Sequence, residues 1–260
     1  MRLVTWNVNS LKARMPRVFE LLDAHDPDVV CLQETKCAAE AFPHLEFAMA
    51  GYHAVEHSAG RWNGVALLVR DDLEVDQVVR GLVGEPDVAE ARWIEARVGG
   101  VQVVSAYVVN GRRPDHPMFA AKLAFFDAIR DRARSLVAGG PTVIAGDLNV
   151  TRDDRDVWDP AAFLGATHVT PEERAHFESV LAVGLVDAYR EVEPDGTGFT
   201  WWDYRMGALH KNLGMRLDYA LVSSHLAVRN VVVDRTFRKN NQAGDKPSDH
   251  APLLVDVERH

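Results

Sequence analysis

Short apolar runs rich in Val, Leu and Ile recur along the chain, at Leu3–Trp6, Asp28–Leu32, Gly64–Arg70, Arg92–Val98, Val101–Val108, Thr142–Gly146, Arg216–Val222, Val228–Val233 and Pro252–Val257. Their length and β-branched content predict strands. Between them the apolar spacing shifts to the helical period. Val18, Leu21 and Leu22 share one face of a first helix. Leu123, Phe126, Ile129, Ala133 and Leu136 line a second, which Gly139-Gly140 and then Pro141 stop. Thr170-Pro171-Glu172-Glu173 predicts a helix start, with proline at the first helical position and a glutamate placed for a capping box. Only Gly99-Gly100 separates Arg92–Val98 from Val101–Val108, which predicts a hairpin. A purely parallel βαβ sheet fits this order poorly. The pattern predicts two β-sheets covered by helices in an α/β domain. No low-complexity stretch or Pro/Gly/Ser-rich linker divides the chain, so residues 1–260 read as one domain. One internal echo stands out: a strand ending in Trp6-Asn7-Val8-Asn9 resembles another ending in Gly146-Asp147-Leu148-Asn149.

Composition narrows the class. With 260 residues, 47% hydrophobic and 26% charged, the chain is an ordinary globular protein, neither disordered nor a disulfide-stapled miniprotein. Its two cysteines, Cys31 and Cys37, lack CxxC spacing and read as free thiols in a reducing compartment. No basic stretch followed by an apolar one marks a secretory signal, and no apolar run approaches the roughly 20 residues that span a bilayer. The expectation is a cytoplasmic protein without a membrane partner. A formal net charge of −9 argues, on average, against a polyanionic partner. Arginine nevertheless outnumbers lysine 23 to 6, so much of the positive charge is of the planar, phosphate-gripping kind.

Polar residues recur where the predicted strands stop. Asn7 follows the first, Glu34 the second, and Tyr107 lies near the end of the hairpin strand. Asp147 and Asn149 follow Val143–Ala145, and Asp249-His250 precede the last strand. Asp218 interrupts an otherwise apolar run. Taken singly, each has an ordinary explanation: a turn residue for Asp and Asn, a helix start for Glu34, satisfied packing for Tyr107. If these strand ends share one sheet edge, four carboxylates and a histidine converge. Gathering ionised carboxylates away from water costs several kcal/mol apiece unless a cation or donors offset it. Oxygen ligands suit a hard cation such as Mg²⁺ or Mn²⁺. An Asp–His pair can orient an imidazole toward a phosphate oxygen.

In this order the blocks Trp6-Asn7-Val8-Asn9-Ser10, Leu32-Gln33-Glu34-Thr35-Lys36, Tyr107-Val108-Val109-Asn110-Gly111, Gly146-Asp147-Leu148-Asn149, Asp156-Val157-Trp158, Phe199–Arg205, Arg216-Leu217-Asp218 and Lys246–Pro252 are highly specific. The chain resembles the exonuclease III type of AP endonuclease, in its bacterial branch, within the endonuclease/exonuclease/phosphatase superfamily. The resemblance covers essentially the whole sequence. It implies a four-layered αββα sandwich of two packed mixed β-sheets flanked by helices, with the site at one end of the sheets. It implies Glu34 as the principal metal ligand, with Asn7 and Asp249 helping to bind the ion. Asp147 would deprotonate the attacking water, and Asn149 would hold that water or a phosphate oxygen. His250, held by Asp218, would contact the scissile phosphate, and Tyr107 would bond it or assist the leaving group. Asn110, Arg112, Trp201 and Lys246 would contact substrate, Trp201 walling a pocket for a flipped-out abasic sugar. The implied activity is Mg²⁺-dependent cleavage of duplex DNA at abasic sites and 3′ ends by a monomer, without sequence preference.

Two departures from the family pattern bear on this. Val109 replaces the proline common in the Tyr-x-Pro-Asn-Gly turn, which loosens the backbone beside Tyr107. Met215 stands where Leu is expected, a near-isosteric change. The charge problem eases locally: Arg229, Arg235, Arg238, Lys239 and Lys246 outnumber Asp234 and Asp245 between 229 and 246. Lys12, Arg14 and Arg17, Arg112-Arg113, and Arg205, Lys211 and Arg216 also abut motif positions, as a phosphate-tracking rim would. Two other readings share the fold: a superfamily enzyme acting on a non-DNA phosphodiester or phosphate ester, and a non-catalytic nucleic-acid-binding regulator. The basic residues beside the Trp201 block argue against the first, and the full set Glu34, Asp147, Asp218, Asp249 and His250 against the second.

Overall fold

The computed structural model describes residues 1–87 and 89–260. The first half of the chain forms β1 (Arg2–Asn7), α1 (Leu11–His25), β2 (Val29–Gln33), α2 (His44–Met49), β3 (Tyr52–His57), β4 (Val65–Arg70), β5 (Val75–Arg80), β6 (Trp93–Val98) and β7 (Val101–Tyr107). The second half forms α3 (Pro117–Gly139), β8 (Thr142–Asp147), α4 (Pro171–Leu181), β9 (Leu185–Asp187), α5 (Ala188–Val192), β10 (Trp201–Trp202), α6 (Ala208–Lys211), β11 (Gly214–Met215), β12 (Asp218–Ser223), β13 (Leu226–Val233) and β14 (Leu253–Arg259). Two mixed six-stranded sheets result, ordered β13-β14-β1-β2-β4-β3 and β5-β6-β7-β8-β12-β9. Each is built on a central parallel pair, β1 with β2 and β7 with β8, and the chain's first and last strands pair antiparallel.

Strand alternation makes the layers. On β1, β2, β7 and β8 the residues Leu3, Val29, Cys31, Val101, Val103, Val143 and Ala145 meet in one buried core between the sheets. Their neighbours Val4, Trp6, Val30 and Leu32 pack outward with Leu11, Val18, Leu21 and Leu22 of α1. Val104, Ala106 and Ile144 pack outward with Phe125, Phe126 and Ile129 of α3 and Phe177 of α4. Helix, sheet, sheet, helix is therefore the αββα sandwich that the family resemblance implied.

All nine expected strands appear, with ends shifted by a residue or two. The Arg216–Val222 run starts its ladder only at Asp218. Strands β3, β5, β9, β10 and β11 are additional. Edge strand β5 is mostly exposed, so it lacks the alternation that marks a half-buried strand, and β9 to β11 are two or three residues long. The Thr170 capping box forms, its hydroxyl accepting from the Glu173 N–H at 3.1 Å. On α3 the buried face is Phe119, Lys122, Phe125, Phe126, Ile129, Ala133 and Leu136, so Leu123 lies off it.

Part of the expected basic rim is interior. Arg216 is fully buried between Asp156 and Asp187, Arg238 donates to the backbone of Trp202 and Asp249, and Arg17 is buried against Glu20 and the Phe237 ring. These three hold loops instead of tracking phosphates. Lys12, Arg112, Lys211, Lys239 and Lys246 are exposed.

The ladder that carries the site depends on Gly146. It pairs with Ala106, its φ is +155°, and an added Cβ would stand 1.9 Å from the Ala106 carbonyl oxygen. Gly146→Ala should therefore wedge β7 from β8 and lose more than about 3 kcal/mol of stability. Urea unfolding measures this, and an unchanged midpoint would show that the strands separate without cost.

Candidate active site

The β7–β8–β12 register puts three polar side chains abreast. Tyr107 pairs with Asp147, and Asp147 pairs with Asp218, each at the end of its strand. From the other sheet, Asn7 closes β1, and Glu34 follows β2 with a left-handed φ of 51°. The Glu34 carbonyl accepts from the Ser10 N–H at 2.8 Å, which pins this uncommon backbone. The echo between the two strand ends is real geometry. Asn9 (φ 45°) and Asn149 (φ 51°) each donate their backbone N–H at 3.0 Å to the side chain two residues earlier, Asn7 and Asp147 respectively. Two equivalent turns thus face one another, one carrying an amide and the other an acid.

Asn7 joins the sheets. Its Nδ2 donates to Glu34 Oε1 and to Asp147 Oδ2, both at 2.9 Å. Tyr107 donates its hydroxyl to Glu34 Oε1 at 2.8 Å, and Lys36 Nζ lies 2.7 Å from Glu34 Oε2. Burial alone would raise the Glu34 carboxyl, but the donors Asn7, Lys36 and Tyr107 outweigh it and hold it below its ordinary range. Asp147 has the opposite balance. Burial pushes it up to about 7, with His250 opposing and Asp218 and Glu34 adding to the rise. His250 Nδ1 lies 2.8 Å from Asp218 Oδ2, and Nε2 lies 3.7 Å from Asp147 Oδ2. Burial disfavours the imidazolium, yet Asp218 and Asp147 raise it to about 10, so the ring is charged at neutral pH.

Asp249 stands on the far side of Asn9, which donates to it at 2.9 Å and accepts from Lys36 at 2.6 Å. The Trp201 indole N–H donates to Asp249 Oδ2 at 3.1 Å. Burial raises the Asp249 carboxyl, while His250, Trp201 and Asn9 bring it below its usual value. Trp202, beside it in the aromatic block, is core. Asn149 donates to the Val108 carbonyl at 2.9 Å, and Asn110 donates to Asn149 Oδ1 at 3.3 Å. Arg112 and Lys246 are exposed near these loops in sequence and make no side-chain bond to the cluster. Val109 does not leave Tyr107 loose. Tyr107 N–H bonds the Arg92 carbonyl at 2.8 Å, the Arg92 guanidinium lies 4.7 Å from its ring centroid, and Val109 is itself buried.

Four residues in the site had no assigned role in the sequence: Asn9, Lys36, Lys122 and His168. Asn9 was detectable as the partner of Asn149 in the echo. Lys36 adjoins the Glu34 block, whereas Lys122 and His168 had no local signal.

The cluster can hold a divalent cation. Four carboxyl groups, those of Glu34, Asp147, Asp218 and Asp249, lie around one imidazole and the Lys36 ammonium, so acidic groups outnumber basic ones. The buried Asp218 Oδ1 has no partner among the described residues, so acceptors outnumber donors there. Asp147, Asp218 and His250 also come within metal-ligand spacing of one another.

Two sheets closing on an acid-rich end with a charged imidazole beside it suit phosphodiester hydrolysis. Residues 4–250 match the Endonuclease/Exonuclease/phosphatase family, and the chain belongs to that family. It is 33% identical to exodeoxyribonuclease III of Haemophilus influenzae over 272 residues, covering 98% of this chain and 99% of the relative. A Neisseria 3′ phosphatase, NExo, solved bound to a product DNA hairpin, superposes with a TM-score of 0.94 at 37% identity, covering 99% of each chain. An AP endonuclease from Archaeoglobus fulgidus superposes with a TM-score of 0.92 at 30% identity, again over 99% of each.

The His250 environment sets a sign for stability against pH. Its folded value, about 10, lies above the ordinary 6.5. The stabilisation is complete below about pH 6.5 and is lost as pH rises toward 10. In chelator, the melting temperature of the native protein should fall more steeply between pH 6.5 and 9.5 than that of His250→Gln. Parallel slopes in calorimetry would refute the charged ring.

Proposed function

We propose that this chain is a DNA-repair nuclease that hydrolyses phosphodiesters of duplex DNA. It cuts 5′ to abasic sites, removes nucleotides from 3′ ends and clears blocked 3′ termini. The observation that carries this reading is the Asn7–Glu34–Asp147–His250–Asp218 constellation, in a chain similar over its length to exodeoxyribonuclease III. Such cleavage is mostly in-line positioning plus neutralisation of developing charge.

Asp147 takes the proton of the attacking water, and a carboxyl titrating near neutrality suits a general base. Asn7 and the Asn149 N–H hold that carboxylate from two directions. Asn149 holds the water or a phosphate oxygen with its side chain. His250, kept charged and oriented by Asp218, donates to a phosphate oxygen as negative charge builds there. Tyr107 bonds the phosphate or assists departure of the leaving oxygen. Its hydroxyl is held well above its ordinary pKa by burial and the nearby Glu34 and Asp147, so it acts as a proton donor, not a phenolate. Glu34, with Asn7 and Asp249, would hold Mg²⁺ or Mn²⁺, and when bound the ion supplies further charge neutralisation at the phosphate. Asn110, Arg112, Trp201 and Lys246 contact the DNA, and Trp201 walls the abasic-sugar pocket. The protein acts as a monomer in the cytoplasm. No helix among the described residues is long and apolar enough to cross a membrane.

Asp147→Asn should keep affinity for duplex DNA and lose cleavage by a factor of about 10³ or more. Filter binding and a gel assay on matched duplexes, one with an abasic-site analogue and one with a recessed 3′ end, separate the two effects. Full cleavage by the variant would remove the base from the mechanism.

Chelation should abolish cleavage of both duplexes, and Mg²⁺ should restore it. Glu34→Ala should shift the Mg²⁺ midpoint upward about tenfold or more. A midpoint equal to that of the native enzyme would move the ion away from Glu34.

A further inference from the structure

A polar cluster that this mechanism leaves unused lies directly beneath the site. Lys122 interrupts the apolar face of α3 between Phe119 and Phe125 and is wholly buried. Its ammonium donates to the backbone carbonyls of Asn149 (2.5 Å) and Asn110 (3.4 Å), to the Thr167 hydroxyl (3.3 Å) and to the Glu173 carboxylate. Glu173 in turn gathers the segment before α4. Its Oε1 accepts from the Thr167 hydroxyl at 2.8 Å and the His168 N–H at 2.9 Å, and its Oε2 from the Thr170 hydroxyl at 2.7 Å. One ion pair therefore fastens two connections: the one after β7, and the one from β8 to α4 at both of its ends.

Stability alone does not account for it. A buried ion pair recovers little beyond its desolvation cost, and apolar residues of equal volume usually serve as well. An apolar side chain cannot hold a carbonyl, however, and two of the carbonyls held here flank the site. Asn149 is in the left-handed region at φ 51°, and its N–H reaches Asp147 Oδ1 at 3.0 Å only while that turn is kept. The approach is close: an added Cβ on Gly111 would stand 3.0 Å from both Lys122 Cδ and Thr167 Oγ1.

We propose that Lys122, paired with Glu173, is a positioning residue of the nuclease, its ammonium fixing the Asn149 and Asn110 carbonyls so that Asp147 and Asn149 are aimed at the scissile phosphate. The inference rests on the roles given above to Asp147 and Asn149. The ammonium touches no substrate. It acts through the backbone of Asn149, which presents one donor to the general base and one amide to the phosphate.

The test removes both charges together, so that neither is left buried and alone. Lys122→Met/Glu173→Gln should lower kcat on a recessed-3′ duplex about 100-fold, while KM and the Mg²⁺ midpoint stay within about threefold. Amide exchange at Asn149 should quicken in the same variant. Phe126→Leu, which loosens the same helix face by leaving a cavity, should keep the native kcat. Gly111→Ala keeps every charge and presses on both the Lys122 stem and the Thr167 hydroxyl, at a backbone φ of 86°. It should lower kcat about tenfold, and it carries the test where the double variant does not fold. Native kcat in the double variant, or in Gly111→Ala if the double variant does not fold, overturns the proposal. So does an equal loss in Phe126→Leu. Cleavage by the native protein in the same assay keeps the nuclease reading standing through either result. A native protein that fails to cleave either duplex overturns both.

Discussion

Four carboxylates crowded into the buried end of two sheets is the constraint on which this structure turns. Nothing about strand packing requires them there, and left alone they would drive the sheet ends apart or take up protons. The fold answers with donors from separate parts of the chain: the Asn7 amide between Glu34 and Asp147, the Lys36 ammonium on Glu34, the His250 ring against Asp218, and the Trp201 indole on Asp249. The compensation is incomplete, and the remainder makes the site reactive. Asp147, buried and close to Asp218 and Glu34, is left with a proton affinity near neutrality, whereas Glu34, with three donors, stays ionised. Two acids of the same kind are thereby separated into a base and a charge.

Rigidity at this end comes from backbone, not from side-chain bulk. Gly146 lets β7 and β8 approach where Tyr107 and Asp147 pair, and the turns at Asn9 and Asn149 return an N–H to the side chain two residues back. These are short, local devices. They work because the inter-sheet core beneath them, from Leu3 to Val257, leaves the strand ends little freedom.

Much of the fold was legible because its central strands are buried and carry the apolar runs that mark them. Edge strand β5 was not, since exposed Asp76 and Gln77 give it the look of a loop. At the site, what could be read was position: Asn7, Glu34, Asp147, Asp249 and His250 each lie at a strand end, where the ordinary choice is a turn residue. Partnership could not be read. Whether Asp249 meets Glu34 directly or through Asn9 and Lys36 depends on the strand order β14-β1-β2 within one sheet, which leaves no trace in local spacing. Charge misled. Arg216 looked like part of a phosphate rim and proved to be the buried counter-ion of Asp156 and Asp187, and Lys122, which had no local signal, is wholly buried.

The pairing of the first strand with the last has a consequence for how the molecule comes into being. Asn7 is made well before His250, and β1 finds its antiparallel partner in β14. A chain still emerging from the ribosome carries Glu34 and Asp147 but lacks the ring and the strand that complete the arrangement. The arrangement around Asp147 is thus complete only once both strands have been made.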